Sequence, residues 1–352
     1  MREPSYEDSL RVLLLQAADE GRGEVLFGDS LNRVGNEAAP FMVGEDFPSV
    51  YLECPLVGDP FIDITLLYSK LAPGTHVEHP AAEGSNAMLE WFAETCADQS
   101  DVCCGFELDV KEPELPAAAV HFQPRKNTEL VRPFCETIGE PERAELYLNL
   151  AARMPKGWPL SFFGLFRGRP GSPLRVCGYL NSDEQKICAD NPQHLADVFD
   201  EIGFTAYDNA MVQEISAFFA IAPGVTDFQL DVYPDGSLSN TFAIDIQFEI
   251  EQPEAVQESF ENGAASRIMH LFEKKGITDD RWKLVPEATF ARALPMKRDD
   301  GSLGKFGFTL MPQWTKVRWR DGVLQPAKMY YLANATFLQG SRSDEPENQS
   351  GA

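Results

Sequence analysis

The sequence lacks the short motifs that mark the commonest enzyme chemistries. It has no Gly-x-Ser-x-Gly, no Gly-rich loop ending in Gly-Lys-Ser/Thr, and no Gly-x-Gly-x-x-Gly after a strand, which argues against hydrolase, NTPase and dinucleotide-binding readings. Its seven cysteines, at 54, 96, 103, 104, 135, 177 and 188, include no Cys-x-x-Cys. Neither a disulfide framework nor a zinc knuckle is written there, and a reducing cytoplasm fits best. Histidine is scarce, and His76, Glu78 and His79 in THVEHP lack both helical spacing and a third ligand. Long apolar runs are missing: the N-terminal run Val12 to Leu15 is short and flanked by acids, unlike a signal peptide, and nothing approaches the roughly 20 apolar residues of a spanning helix. Bases are also few, 30 against 55 acids for a formal net charge of −25. That sign disfavours nucleic acid and anionic membranes as partners.

The chain does have ample material for a core, with 43% hydrophobic residues in 352. No linker separates two halves, so residues 1–340 are expected to form a single domain, and 341–352, within the polar run GSRSDEPENQSGA, a disordered tail. Strands are expected near 61–68, 103–110, 117–123, 159–167, 173–180, 226–233, 240–250, 305–311, 315–320 and 326–332. Helices fall between the pairs, near 5–20, 84–97, 127–138, 140–154, 182–220 and 253–275, with Asn127 and Asp208 as N-caps.

Alternation within the strands is the most informative feature. One face is apolar, as in Ile62, Ile64 and Leu66, or Phe242, Ile244, Ile246 and Phe248. The other is polar: Asp63, Thr65, Glu107, Asp109, His121, Gln123, Arg175, Tyr179, Gln229, Asp231, Tyr233, Asp245, Gln247, Lys316, Arg318, Lys328 and Tyr330. Parallel sheets covered on both faces read as continuous hydrophobic runs, so the pattern predicts an antiparallel meander with helices on its apolar side. About ten strands tend to close, which would give an α+β fold: an antiparallel β-barrel with a polar lumen, surrounded by helices. The alternative is an open α+β layer whose polar face meets water. In the same pattern, Trp158, Phe162 and Phe166 read as core, and Phe163 as a platform on the polar face.

The stretch TKVRWRDGVLQPAKMYYL, 315–332, sets four bases against one acid in this acidic chain. Asp321-Gly322 reads as a hairpin turn, with Lys316 and Arg318 on one strand and Lys328 and Tyr330 on the other. Arg320, beside the turn, is expected at the rim outside any site.

The αββα repeats, SFFGLFRGR at 161–169 and QPAKMYYL at 325–332 with its Lys-x-Tyr, resemble the ABBA-type prenyltransferases, both aromatic and cyanobactin-like peptide prenyltransferases. The resemblance implies that lumen Lys, Arg and Tyr residues bind a prenyl diphosphate and shield the allyl cation: Arg175, Tyr179, Lys316, Arg318, Lys328 and Tyr330, with Tyr233 on the same face. Asp231 and Asp245 stand where the family often carries Lys, Arg or Tyr, and are candidates to hold Mg²⁺ against phosphate oxygens. Departure of diphosphate needs cations at one end and aromatic faces at the other, and Asp63 or Glu107 is placed to take the acceptor's proton. The implied partners of a cytoplasmic monomer are an allylic diphosphate and a peptide or aromatic small-molecule acceptor, as in natural-product biosynthesis. A non-catalytic peptide or small-molecule binding protein of the same architecture is the alternative.

Overall fold

The computed structural model describes residues 6–17, 22–44, 46–111, 116–224, 226–297 and 303–338. The expected tail lies outside them. Five αββ units follow one another along the chain. The first comprises α1 (Tyr6–Ala17), α2 (Arg22–Phe27), α3 (Ser30–Ala38), β1 (Ser49–Pro55) and β2 (Asp63–Tyr68). The second comprises α4 (Asn86–Thr95), β3 (Cys103–Leu108) and β4 (Ala119–Gln123). The third has α5 (Val131–Thr137), α6 (Pro141–Arg153), β5 (Leu160–Leu165) and β6 (Leu174–Tyr179). The fourth has α7 (Ser182–Asp190), α8 (Pro192–Ile202), α9 (Asn209–Ile221), β7 (Thr226–Val232) and β8 (Leu238–Gln247). The last runs through α10 (Glu254–Glu261), α11 (Ala264–Lys275), α12 (Val285–Ala288), β9 (Phe290–Lys297), β10 (Leu303–Arg320), β11 (Val323–Leu324) and β12 (Lys328–Phe337).

Every pairing is antiparallel, and β10 joins β12 on one side and β8 on the other. That second pairing closes a ten-strand barrel of β1 to β8, β10 and β12, with β9 and β11 as short flanking ribbons on β10. The expected barrel is therefore the observed one. Period-2 alternation is the cause: Ile64, Leu66, Phe106, Phe228, Phe242, Ile244 and Ile246 are all fully buried on the outer face, where the helices cover them. Aromatic contacts fasten this layer. Phe134 of α5 stacks on Phe122 at 4.2 Å and meets Phe163 edge-on, and Phe218 of α9 lies against Trp319, pairs worth about 0.5–1.5 kcal/mol each beyond area burial. Polar atoms of these outward aromatics find partners too: Trp319 Nε1 donates to Glu214 and Trp158 Nε1 to Glu184.

Because each unit is a hairpin preceded by helices, the β-hairpin turns gather at one end of the barrel and the helical connections at the other. The last hairpin follows its sequence. Asp321 and Gly322 both have positive φ, 52° and 74°, the type I′ turn that Asp-Gly favours.

Several elements differ from the sequence reading. Strand β1 was not expected, since Pro55 and Cys54 mask a real alternation of Val50, Leu52 and Cys54 with Tyr51 and Glu53. The two strands expected at 305–311 and 315–320 are one, β10, interrupted only by an irregularity at Pro312/Trp314. A register shift between Leu160 and Phe162 inverts the predicted faces of β5: Phe163 is fully buried in the outer core, while Phe162 looks inward. Phe166 lies between two guanidiniums, 4.0 Å from Arg169 and 4.2 Å from Arg175. Asp208 caps α9 through Met211 N, whereas Asn127 makes no side-chain cap. Among the described residues, no helix is long and apolar enough to cross a membrane.

Candidate functional site

The inward side chains build two spaces that share Lys316 in their walls. Toward the helix-connection end lies a chamber of about 420 Å³, with Tyr51, Phe162, Tyr179 and Trp314 among its walls and Gln123, Gln247 and Gln313 among its polar groups. Its size is that of a small-molecule site. Trp314 stacks on Tyr330 at 5.0 Å and 16°, and Tyr51 leans on Trp314 from the other side at 5.0 Å. Across the chamber, His121 stacks on Phe162 at 4.9 Å. The imidazole sits over Gly164, where an added Cβ would come within 2.8 Å of its Cε1; glycine at that position is what lets the ring lie flat.

Toward the hairpin end a smaller cavity of about 180 Å³ is lined by Pro55, Lys316, Arg318, Arg320, Gln325, Pro326 and Lys328. Four of its seven walls are cationic and none is acidic. Lys316 lines both spaces and so stands between them. Arg320, expected to stand outside the site, is part of this wall, since the strand carries it past the barrel end on the same inward face as Lys316 and Arg318.

Carboxylates organise the cations without filling the small cavity. Glu53 accepts from both Lys328 and the Tyr330 hydroxyl, and that hydroxyl in turn accepts from Lys316 Nζ at 2.8 Å. Burial pushes Glu53 up, but Lys328 and Lys316 outweigh it and hold the carboxyl below its ordinary range. Arg175 donates to Asp231 at 2.9 Å, and Asp231 is likewise held low, with Arg175 offsetting burial. Glu107 is bound by His121 at 3.1 Å and Arg169 at 2.8 Å; these overcome burial and keep it well below the carboxylate norm. Arg318 is the exception. Its Nε has no partner, and burial followed by the neighbouring Arg175 lowers its pKa. A cation in that condition is stabilised by an arriving anion.

Two acids are raised to near neutrality, and burial raises Asp245 as well. Asp63 lies opposite Glu53 in the register, with one oxygen unpartnered, and burial, then Glu53, raises it to about 7. Asp227 lies opposite Asp245, and burial, then Asp245, raises it to about 7 as well.

The structure thus brings Lys316, Arg318, Lys328 and Tyr330 together, and places Arg175 on the same inward face and Tyr179 in the chamber. It does not bring Asp231 and Asp245 together: the first is spanned by Arg175, the second faces Asp227 and lies 3.7 Å from Lys316. The pair expected to hold Mg²⁺ does not fit a shared ion. Tyr233 is 37% exposed beyond the end of β7, with its ring near Gly171, outside both spaces. Of the two expected bases, Glu107 lines the chamber and Asp63 does not. Sequence reading missed Tyr51, Glu53, Phe162, Asp227 and Trp314. The alternation of β1 could have found the first two; Phe162 depended on an irregularity in the strand.

No family model matches the chain, and no curated protein matches it. Solved structures do. Over 93% of this chain and 95% of its own, 5-dimethylallyltryptophan synthase from Streptomyces coelicolor superposes with a TM-score of 0.51 at 13% identity. AnaPT from Neosartorya fischeri covers 95% and 92% of the two chains at 8% identity and a TM-score of 0.48. The prenyltransferase PriB, in ternary complex with L-tryptophan and dimethylallyl thiolodiphosphate, covers 94% and 96% at 12% identity and a TM-score of 0.46. The likeness is one of architecture: the chain has the closed, helix-wrapped antiparallel barrel of the ABBA-type aromatic prenyltransferases.

Proposed function

We propose that this protein transfers an isoprenoid group from an allylic diphosphate to an aromatic acceptor inside the barrel. The observation that carries the reading is the acid-free cavity walled by Lys316, Arg318, Arg320 and Lys328, which shares Lys316 with an aromatic chamber. Ionisation of an allylic diphosphate leaves negative charge on oxygen and positive charge on carbon. The four cations oppose the first, each charge-assisted contact contributing about 1.5–3 kcal/mol. Aromatic side chains on the chamber wall, Tyr179 and Phe162 among them, meet the second and exclude water from it. Glu107, paired with His121 on the chamber wall, is the proton acceptor in this scheme, and Asp63 lies farther toward the hairpin end. Since Asp231 and Asp245 do not share a site, no step is routed through a metal ion.

A second reading, a barrel that binds without transfer, draws on the commitment of Lys328 and Tyr330 to Glu53. The decisive experiment is calorimetry with dimethylallyl and geranyl diphosphate, followed by mass spectrometry of mixtures with indoles, phenols and aromatic peptides. Transfer predicts heat with a diphosphate and a product heavier by the prenyl group. Heat without product supports the binding protein, and no heat with any diphosphate overturns the transferase reading.

A further inference from the structure

Away from the lumen, the helices of the fourth unit bring together three side chains that the transfer scheme leaves idle. Glu184 and Cys188 stand four residues apart on α7, so they share one face of it. His194 lies in the first turn of α8, just past the break at Asn191. A carboxylate oxygen, the thiol sulfur and an imidazole nitrogen of these residues all lie within 4.8 Å of one another, the one such group of His, Cys, Asp or Glu side chains among the described residues. Cys188 is fully buried and in no disulfide. Glu184 Oε1 accepts from His194 Nε2 at 2.5 Å and from Trp158 Nε1 at 2.9 Å. The Asn181 side chain caps this turn by accepting from Glu184 N at 2.9 Å.

A hydrogen-bonded Glu-His pair alone would leave the thiol without a part in the cluster. Sulfur, imidazole nitrogen and carboxylate oxygen together form a zinc donor set, whereas magnesium and calcium take oxygen ligands. Tetrahedral zinc bonds of about 2.0–2.3 Å hold ligand atoms roughly 3.3–3.8 Å apart. Shifts of about 1 Å therefore suffice, with the His194–Glu184 contact opening around the ion and the thiol drawing in. His194 is 33% exposed at its side chain, which gives an ion a path from solvent.

We propose that Glu184, Cys188 and His194 form a zinc site on the outside of the barrel, completed by one water, that pins α7 and α8 to the strands. The metal–thiolate bond replaces the S–H bond of Cys188, and the proton passes to solvent. Trp158 orients the carboxylate as outer-shell donors orient metal ligands. Its ring packs on Phe228 of β7 at 5.0 Å, so an ion held by the two helices is tied through this indole to the barrel wall.

The test is zinc calorimetry on the metal-free, reduced full chain, with Co²⁺ as a spectroscopic probe. One zinc per chain is expected, with a rise in Tm, and Co²⁺ should give the near-ultraviolet charge-transfer band of a cobalt–thiolate bond. Cys188→Ser should abolish that band. Both Cys188→Ser and His194→Ala should weaken zinc at least about a hundredfold, since even outer-shell partners of a metal are worth about ten- to a hundredfold. His79→Ala and Cys103→Ser, which alter a histidine and a cysteine elsewhere in the fold, should leave zinc affinity unchanged. Absence of zinc heat overturns the proposal. So does a cobalt band that survives in folded Cys188→Ser, zinc affinity that survives in His194→Ala, or affinity lost in either control. Because His194 is partly exposed, its variant removes a ligand without opening the core, and it decides the matter if Cys188→Ser does not fold. None of these readouts depends on whether a prenyl group is transferred.

Discussion

The two ends of the lumen are lined by the same ten strands, yet they differ in chemistry. At the hairpin end, cations dominate the cavity and most carboxylates nearby are tied to a base, Glu53 to Lys328, Asp231 to Arg175 and Asp109 to Arg169, with Asp63 the exception. At the helix-connection end the lining is aromatic and amide, and burial raises both of the facing acids Asp227 and Asp245. A single register row, Tyr179, Asp227, Asp245, Lys316, Lys328, crosses from one regime to the other. The lesson is that net charge says little about such a protein. A chain of net charge −25 builds a cation-walled cavity by placing four bases on two adjoining strands, with Glu53 behind Lys328 and Asp245 near Lys316.

The largest expected effect separates the two ends most sharply. Arg318→Leu should weaken allylic diphosphate binding about ten- to a hundredfold, yet raise the thermal midpoint, because its Nε is buried without a partner and Arg175 is a neighbouring like charge. Affinity by calorimetry and Tm by calorimetric scan should move in opposite directions, whereas Tyr233→Ala, at the exposed turn, should move neither. If Arg318→Leu lowers Tm and spares affinity, the hairpin-end cations are structural and the contrast between the ends collapses.

Gly164→Ala probes the wall that both ends share. Its Cβ would press within 2.8 Å of His121, and overpacking of this kind costs about 1–3 kcal/mol. We expect a fall in Tm, with loss of the Glu107–His121 pairing visible as changed His121 ring chemical shifts by NMR. An unchanged midpoint and unchanged ring shifts would show that the imidazole has room to move.

The smallest effect is in pH dependence. Asp63 has its pKa raised from 3.8 to about 7, so its protonated form favours the folded state. That contribution is fully present below about pH 4 and is lost as pH rises through about 7. Asp63→Asn should therefore show a shallower decline in Tm than the wild type across that window. Identical slopes would mean that Asp63 ionises as readily in the fold as in the unfolded chain, and that the hairpin end is wetter than its geometry implies.

Much of this was written in the sequence because period-2 alternation is a local property. Ile64, Phe106 and Ile244 turned outward and Asp63, Glu107 and Asp245 inward, as a strand with one covered face requires. The Lys-x-Tyr of β12 and the bases of β10 landed beside one another because an Asp-Gly turn and the β10–β12 register brought them there.

What the sequence determined by itself was thus which face most strand side chains take, that helices cover the apolar one, and that basic residues concentrate in one hairpin. Only the tertiary structure decided the rest. Closure of β8 onto β10 set Asp245 beside Lys316, though they are far apart in sequence, and the β5 irregularity exchanged Phe162 for Phe163. The cross-strand partners chose Asp227 rather than Asp231 to face Asp245. Side-chain facing follows from the backbone's own geometry, whereas partner identity follows from register between distant strands, and a shift of a single residue there changes every pair.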